Sequence, residues 1–345
     1  MKKMLALFLA LVMVLSLAAC ASSQPAAAST ETAETTETTE PAAEESAEAP
    51  AESGKTYTVG VCQLVQHEAL DAATQGFVDA LKEELGDAVT VDVQNASGDS
   101  VNCGTIVNGF VSKGVDLIMA NATPALTAAV SATADIPILG TSITAYGVAL
   151  DIDDFNGTVG GNVSGTSDLA DLQAQAQMIL DWFPETKTVG LLFCSAEPNS
   201  RYQIDEVRKA LEAQGVTCEE FAFTDSNDVS SVTQKAADFS DVVYIPTDNT
   251  AASNTEAIAN VLIPAGVPAV CGEEGLCRGC GVATLSISYY DLGVTTGKMA
   301  AKILKGEADI STMPVEYTDA TPKYNASVCE QLGITPLDGY EAIDG

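Results

Sequence analysis

The chain has 345 residues, which is enough for two domains, and a formal net charge of −33 at pH 7. Such an excess of carboxylates opposes binding to nucleic acid and adhesion to anionic lipid, whereas it favours solubility. The sequence contains one histidine, His67, and none of the glycine motifs that hold phosphate or a catalytic serine. We therefore expect a protein that is not an enzyme, has no catalytic residues and needs neither a cofactor nor a metal.

The first twenty residues have the pattern of a secretory signal. A basic start at Lys2 and Lys3 precedes an apolar run over residues 4–17, which is too short to span a membrane. Small residues then lead to Cys20, and this arrangement resembles the lipobox of bacterial lipoproteins. The resemblance implies a signal peptide over 1–20 and a lipid on Cys20 that anchors the chain to the cell membrane outside the cytoplasm. The alternative is an ordinary cleaved signal with an incidental cysteine.

Residues 21–54 have the composition of a disordered acidic tether. They contain eight glutamates, no basic residue, and otherwise only small or polar residue types that cannot form a core. A flexible coil of this length would reach about 30–35 Å. The tether would therefore let a folded body stand off from a membrane surface.

Short apolar runs alternate with helical stripes through the next part of the chain. The predicted elements are a strand at 57–62, a helix at 70–85, a strand at 89–93, a helix near 101–112, a strand at 116–120, a helix at 124–132 and a strand at 136–140. Strands that alternate with helices in this way form parallel sheets. The pattern predicts an α/β lobe.

The same order of elements returns in the second half, beginning with a strand at 188–194. We therefore predict an α/β fold of two parallel-sheet lobes joined by a hinge. The glycine-rich stretch 157–168 is the expected first crossing between them. The expected domains are 55–163 plus about 288–318 for lobe one, and 164–287 plus about 319–345 for lobe two. After residue 318 we expect an irregular tail.

Polar residues follow the predicted strands, at the edge where open α/β sheets bind small molecules. They are hydroxyls, amides and carboxylates with hardly any cation: Gln66, His67, Thr123, Thr141, Ser142, Ser195, Glu197, Asn199, Asp248, Asn249, Thr250, Glu273 and Glu274. Hydroxyls and helix N-termini suit a carboxylate, whereas an acidic side chain suits an ammonium group. The set therefore predicts a site for a zwitterionic amino acid. Each residue can equally cap the helix that follows it.

Three of these residues, and two aromatic ones, have more specific expected roles. Asp248 is the first choice for the partner of a ligand ammonium group, and Glu274 is the second. His67 suits a pocket hydrogen bond or a helix cap better than a general base. Tyr146 or Phe193 would either stack on a ligand side chain or belong to the core.

Cys277 and Cys280 share a short spacing, unlike the other cysteines that follow Cys20. The spacing is compatible with free packed thiols, with a local disulfide, or with half of a zinc site. Outside the cytoplasm a disulfide is permitted. A zinc site is the least favoured reading, because neither a second ligand pair nor a nearby histidine is evident.

Several motifs together resemble one protein family. They are QLVQHEALDAATQGF, GGNVSGTSD, CSAEPNS, PTDNTAAS, GEEG and YYDLGVTTGKMAAKIL. In this order they are similar to the substrate-binding lipoproteins of ABC importers, in particular to the tryptophan/tyrosine-type family of the type I periplasmic-binding-protein fold. The likeness covers nearly all of residues 55–322. Ala145-Tyr146 departs from it where many relatives have Asp-Pro, and Cys277 and Cys280 stand where an apolar residue is usual.

The resemblance implies two Rossmann-like lobes, joined by three strands, that close on a solute such as an aromatic amino acid. The pocket loops it implies are those around His67, Thr123, Ser142, Ser195, Asp248 and Glu274. An ABC permease with its ATPase is the implied partner. The alternatives are a sugar or nucleoside in the same fold, or a membrane-anchored sensor that acts through a partner receptor.

Overall fold

A computed structural model of the protein describes residues 55–343. The expected signal peptide, the expected lipidation site Cys20 and the expected tether lie outside the described residues. Among the residues that are described, no helix combines the length and the apolar character needed to cross a membrane.

Strands and helices alternate along the described chain. The strands are β1 (Tyr57–Gln63), β2 (Val89–Asn95), β3 (Leu117–Asn121), β4 (Ile138–Ile143), β5 (Val163–Ser167), β6 (Thr188–Cys194), β7 (Thr217–Phe223), β8 (Val242–Ile245), β9 (Ala269–Cys271), β10 (Ala283–Ser286), β11 (Glu316–Tyr317), β12 (Thr321–Tyr324) and β13 (Glu341–Ala342). The helices are α1 (Glu68–Leu85), α2 (Ser100–Lys113), α3 (Thr123–Ala132), α4 (Tyr146–Ala149), α5 (Leu172–Trp182), α6 (Pro198–Glu212), α7 (Val229–Phe239), α8 (Asn249–Ala252), α9 (Thr255–Ala265), α10 (Glu274–Cys280), α11 (Tyr289–Lys305) and α12 (Ala326–Leu332).

The strands form two sheets, one in each lobe. The sheet of lobe one has the order β11-β5-β4-β3-β1-β2, and its strand pairs are parallel. The sheet of lobe two has the order β13-β12-β10-β9-β8-β6-β7, in which the β10–β12 pair is antiparallel and the others are parallel. This architecture confirms the predicted α/β fold of two parallel-dominated sheets.

Helix α11 follows lobe two in sequence but packs against lobe one. It lies along α1 so closely that a Cβ on Gly76 would be 2.1 Å from the carbonyl oxygen of Tyr290. A Cβ on Gly293 would likewise be 2.0 Å from the carbonyl oxygen of Ala73. The two helices therefore touch through their backbones, which requires glycine at both positions.

The chain passes between the sheets after β5, after β10 and after β11. Strand β5 lies inside the glycine-rich stretch of the first crossing, and the expected boundary at 163/164 falls at its start. It pairs with β4 so closely that a Cβ on Gly165 would be 2.0 Å from the carbonyl oxygen of Gly140. Small residues conceal this strand in the sequence because they have weak strand propensity.

The prediction of an irregular tail is wrong. Strand β12 pairs with β10, helix α12 is capped by the side chain of Asn325, and β13 pairs with β12. Pro322 in β12 and the short length of β13 disguise both strands in the sequence. Their pairing partners, which are distant along the chain, determine their conformation.

Candidate functional site

A small pocket lies between the lobes, at the carboxyl ends of their strands. Lobe one contributes residues after β1, in and after β4, after β5 and at the start of α11; lobe two contributes the starts of α6 and α8 and the ends of β8 and β9. The lining residues are His67, Ser142, Thr144, Asp168, Tyr289, Asn199, Thr247, Asp248, Asn249, Ala252 and Glu273. None of the lining residues in this described part of the chain is Lys or Arg.

Four polar atoms of the pocket-lining residues are buried and have no hydrogen-bond partner among residues 55–343. They are His67 Nδ1, Ser142 Oγ, Asp168 Oδ1 and Asn199 Oδ1. Buried polar atoms in native proteins are almost always hydrogen-bonded. Four such atoms around one pocket make it a candidate site for a polar ligand or for ordered water.

Asp168, directly after β5, presents a carboxylate oxygen to this pocket. The hydroxyl of Tyr289 donates to Oδ2 at 2.8 Å, and Oδ1 is the oxygen without a partner. Burial raises the pKa of the Asp168 carboxyl above its usual value, although the side chains of Tyr289 and Thr144 act in the opposite direction. The sequence did not indicate Asp168 as a site residue because β5, the strand that precedes it, was not predicted.

Several described residues other than glycine have positive φ, and two of them lie at the carboxyl ends of β3 and β4. Ser142 has φ 56°, and Ala122, at the N-terminus of α3, has φ 90°. Such conformations cost about 1–3 kcal/mol each and occur mainly at functional sites. At Ser142 the strained backbone holds the unpartnered hydroxyl beside the pocket.

Asp248 also lines the pocket, but hydrogen bonds from lobe two occupy its carboxylate. Oδ2 accepts from the backbone N–H of Cys194 at 2.7 Å and from the hydroxyl of Ser200 at 2.8 Å, while Oδ1 accepts from the N–H of Ala251 at 2.8 Å. Burial, and secondarily the charge of Glu197, raise the pKa of Asp248 to about 8. Asp248 thus caps α8 and ties it to β6.

Glu197 is a second carboxylate that holds the N-terminus of α8. It accepts hydrogen bonds from the N–H and side-chain amide of Asn249, at 3.0 and 2.7 Å, and from the N–H and hydroxyl of Thr250, both at 2.8 Å. The amide nitrogen of Asn199 lies 3.3 Å from the same carboxylate. Glu197 therefore fixes the position of Asn249, which lines the pocket.

The two glutamates after β9 have different surroundings. Glu273 lines the pocket and caps α10 through the N–H of Gly275 at 2.6 Å, and burial raises its pKa to about 7. Glu274 does not line this pocket. It forms ion pairs with Arg278 at 2.8 Å and Lys323 at 2.5 Å.

The remaining residues expected at the site lie outside the pocket. Gln66 and Ser195 are exposed, and the Ser195 hydroxyl donates to the carbonyl of Phe223 at 3.1 Å. Thr123 and Thr141 are buried in lobe one, where the Thr141 hydroxyl lies 3.2 Å from that of Thr166.

The two aromatic residues considered for stacking belong to the core. Tyr146 is 1% exposed, and its hydroxyl donates to the carbonyls of Gly140 and Thr166. Phe193 is also 1% exposed and packs in the core of lobe two. Tyr289 is the aromatic residue that lines the pocket.

Cys277 and Cys280 are free, buried thiols on α10. Within the described range, no group of three or more His, Cys, Asp or Glu side chains is arranged to hold a metal ion.

Two contacts join the lobes beside the pocket. His67 Nε2, in lobe one, lies 3.2 Å from Asn249 Oδ1, in lobe two. Glu68, the first residue of α1, pairs with Arg278 of α10 at 3.0 Å. Consecutive residues of lobe one thus reach across the cleft.

Comparison with known proteins gives the chain a family. Residues 58–339 match the model of the family described as ABC transporter substrate binding protein. A tyrosine-binding protein of Clostridioides difficile is 32% identical over 276 residues, covering 78% of this chain and 79% of the relative.

Solved structures extend the comparison. A Streptococcus pneumoniae protein in complex with L-Trp has a TM-score of 0.79 at 32% identity, covering 84% of this chain and all of that one. The ligand-free, open structure of a Clostridium difficile substrate-binding protein has a TM-score of 0.64 at 33% identity, covering 84% of this chain and 99% of that one. A solute-binding protein of Bacillus halodurans with bound myo-inositol is 17% identical, and the match covers 82% of this chain and 99% of that one. Its TM-score is 0.57, and at this identity the likeness shows the fold alone.

Proposed function

Because the chain belongs to the ABC transporter substrate-binding protein family, we propose that it binds an aromatic amino acid between its lobes and delivers it to an ABC permease with its ATPase. The observation that supports this most directly is the set of unpartnered polar atoms around the inter-lobe pocket. A zwitterion brings both hydrogen-bond donors and acceptors to such a pocket.

The ammonium group of the ligand pairs with Asp168 in this proposal. Asp168 Oδ1 is the carboxylate oxygen of the pocket that is buried without a partner among the described residues. Both oxygens of Asp248 already accept hydrogen bonds from the protein. The hydroxyl of Ser142 is then available to donate to the ligand carboxylate.

The relatives support the ligand class and the closed arrangement. One relative is a tyrosine-binding protein, and another was solved with L-Trp bound. At nearly equal identity, this structure superposes better on the L-Trp complex than on the ligand-free, open protein, with TM-scores of 0.79 and 0.64. This difference supports a closed cleft in which His67 and Asn249 meet.

The N-terminal region completes the proposal. Cleavage of the signal peptide before Cys20 and lipidation of that cysteine would hold the protein at the outer face of the cell membrane. Residues 21–54 would tether the two lobes there. In this proposal the protein binds the solute and catalyses no reaction.

A thermal-shift screen of the mature protein tests the ligand class. We expect L-tryptophan or L-tyrosine to raise the midpoint, because a ligand at 100 times its Kd adds about 2.7 kcal/mol to the free energy of unfolding. Glucose and adenosine should leave the midpoint unchanged. A shift with either of these two, and none with any amino acid, would contradict the proposal.

A further inference from the structure

We propose that Glu197 and Asn249 of lobe two hold His67 of lobe one as the Nε2–H tautomer, so that Nδ1 accepts a hydrogen bond from a primary ammonium group of the ligand. The inference rests on the proposed function and makes it more specific. It assigns positioning roles to two residues and makes the site prefer primary over secondary amines.

The first step is the orientation of the Asn249 side chain. Glu197 accepts from Asn249 Nδ2 at 2.7 Å, and it also accepts from two backbone N–H groups, which cannot themselves accept a proton. Every group that is hydrogen-bonded to this carboxylate is a donor, so Glu197 acts as the acceptor towards Asn249. The amide nitrogen of Asn249 therefore faces Glu197, and its Oδ1 faces His67.

The second step is the tautomer of His67. Its Nε2 lies 3.2 Å from Asn249 Oδ1, an acceptor, so Nε2 must carry the hydrogen. Burial lowers the pKa of His67 below its usual value, although Asn249, Glu197 and Asp71 act in the opposite direction. A neutral ring with hydrogen on Nε2 presents a lone pair on Nδ1, the atom that is buried without a partner.

The third step is the number of acceptors around the pocket. Asp168 Oδ1 is a carboxylate oxygen. Asn199 Oδ1 is an amide oxygen, because the Nδ2 of that residue donates to the carbonyl of Thr247 at 3.1 Å and to Glu197 at 3.3 Å. With His67 Nδ1 they are three unpartnered acceptors from residues that line one pocket. A primary ammonium group has three N–H donors, one for each.

The chain of hydrogen bonds from Glu197 through Asn249 to His67 also joins the lobes. Glu197 and Asn249 belong to lobe two and His67 to lobe one, so the tautomer is imposed where the lobes meet. The other charged or titratable groups around the ring are Asp71 and Glu68 on α1, Arg278 on α10, and Asp168, Asp248, Glu273 and Tyr289 of the pocket. Protonation of Nδ1 would remove its lone pair and place a positive charge against the ammonium group.

Nitrogen-15 NMR of the imidazole tests the tautomer directly, since the chain has one histidine and its signals need no assignment. In protein saturated with L-tryptophan we expect the Nε2–H pattern, still neutral at about pH 6, below the usual histidine pKa. Asn249→Ala should give a mixture of tautomers and weaker binding. The matched control is Asn260→Ala, an exposed asparagine on α9. A bound state with Nδ1–H or imidazolium at pH 7 would overturn the inference while leaving the proposed function intact.

A ligand series measured by calorimetry tests the acceptor count without any change in the protein. Nα-methylation of L-tryptophan should weaken binding by about tenfold, which corresponds to one lost hydrogen bond. Removal of the amine, as in indole-3-propionate, should weaken it by at least about a hundredfold. Equal affinity for the methylated ligand would overturn the inference. If no primary amine binds, the inference and the proposed function both fail.

Discussion

At the scale of single residues, two buried aspartates of the cleft differ in what surrounds their oxygens. Asp248 is held by three protein donors, whereas Asp168 accepts from Tyr289 on one oxygen and has no partner on the other among residues 55–343. The difference separates a helix cap from a ligand contact, although both are carboxylates at the ends of strands.

Asp168→Asn should weaken amino-acid binding by about 2–5 kcal/mol, because it removes the charge that pairs with a desolvated ammonium group. The ligand-free variant should be at least as stable as the parent, since burial raises the pKa of this carboxyl and thus disfavours its charge. Isothermal titration calorimetry measures the first effect. The exposed Asp153→Asn serves as the control. Unchanged affinity in Asp168→Asn would exclude Asp168 as the ammonium partner.

Asp248→Ala should lower the free energy of unfolding by about 2–4 kcal/mol, because it removes a helix cap and leaves the buried N–H of Cys194 without a partner. Urea denaturation of the ligand-free protein provides the measurement, and Asp238→Ala on the exposed face of α7 is the control. If stability is unchanged and only ligand affinity falls, then Asp248 contacts the ligand, as the sequence suggested.

At the scale of elements, the α1–α11 contact determines where the last long helix lies. The two helices approach through Gly76 and Gly293, and α11 places Tyr289 beside Asp168. The packing of two helices thus positions a pocket residue.

Gly293→Ala should destabilise the protein by about 1–3 kcal/mol, because its Cβ would overlap the backbone of Ala73 and force the helices apart. The matched control is Gly104→Ala in α2, where a Cβ meets nothing within 4 Å. That change should stabilise the protein by up to about 1 kcal/mol through helix propensity. Chemical denaturation compares the two variants, and effects of the same sign would contradict this account.

At the scale of the whole molecule, buried acids make stability depend on pH. The pKa values of Asp248 and Glu273 are raised to about 8 and about 7, above those of the unfolded chain. The folded protein therefore retains protons that the unfolded chain releases. Their contribution to the free energy of unfolding is complete at a pH below the pKa values of the unfolded chain. It is lost as the pH rises through the pKa values of the folded protein. Acids with lowered pKa, such as Asp241 and Asp92, act oppositely, and their contribution is lost in strong acid. Burial lowers the pKa of His67, so its contribution to stability is lost as pH falls below about 6.5.

We therefore expect the free energy of unfolding to fall by about 1–3 kcal/mol between pH 6.5 and pH 8, where His67 is largely neutral in both states and only the raised acids titrate. Urea denaturation across this range measures it. The double substitution Asp248→Asn with Glu273→Gln should flatten the profile, because neither amide titrates, and Asp153→Asn should leave it as in the parent. Stability that rises towards pH 8 in the parent would contradict the prediction.

Local pattern was sufficient for much of the fold. The apolar runs of β1, β3 and β6 and the stripes of α1 and α2 appear in the sequence because burial of a strand or of one helix face imposes a period on apolar residues. The repetition of that order predicted two α/β lobes. The same reasoning placed polar residues at the strand ends, among them His67, Ser142, Asn199 and Asn249, which line the pocket.

Only the tertiary structure distinguished carboxylates that cap helices from carboxylates that have an oxygen without a hydrogen-bond partner. Whether a carboxylate has a spare oxygen depends on donors that are distant along the chain. Tyr289 lies 121 residues from Asp168, and Cys194 lies 54 residues from Asp248. The His67–Asn249 contact spans 182 residues and exists because two separately folded lobes meet. Strands β5 and β12 were hidden for the same reason, since their conformation comes from neighbours in the sheet and not from their own residues.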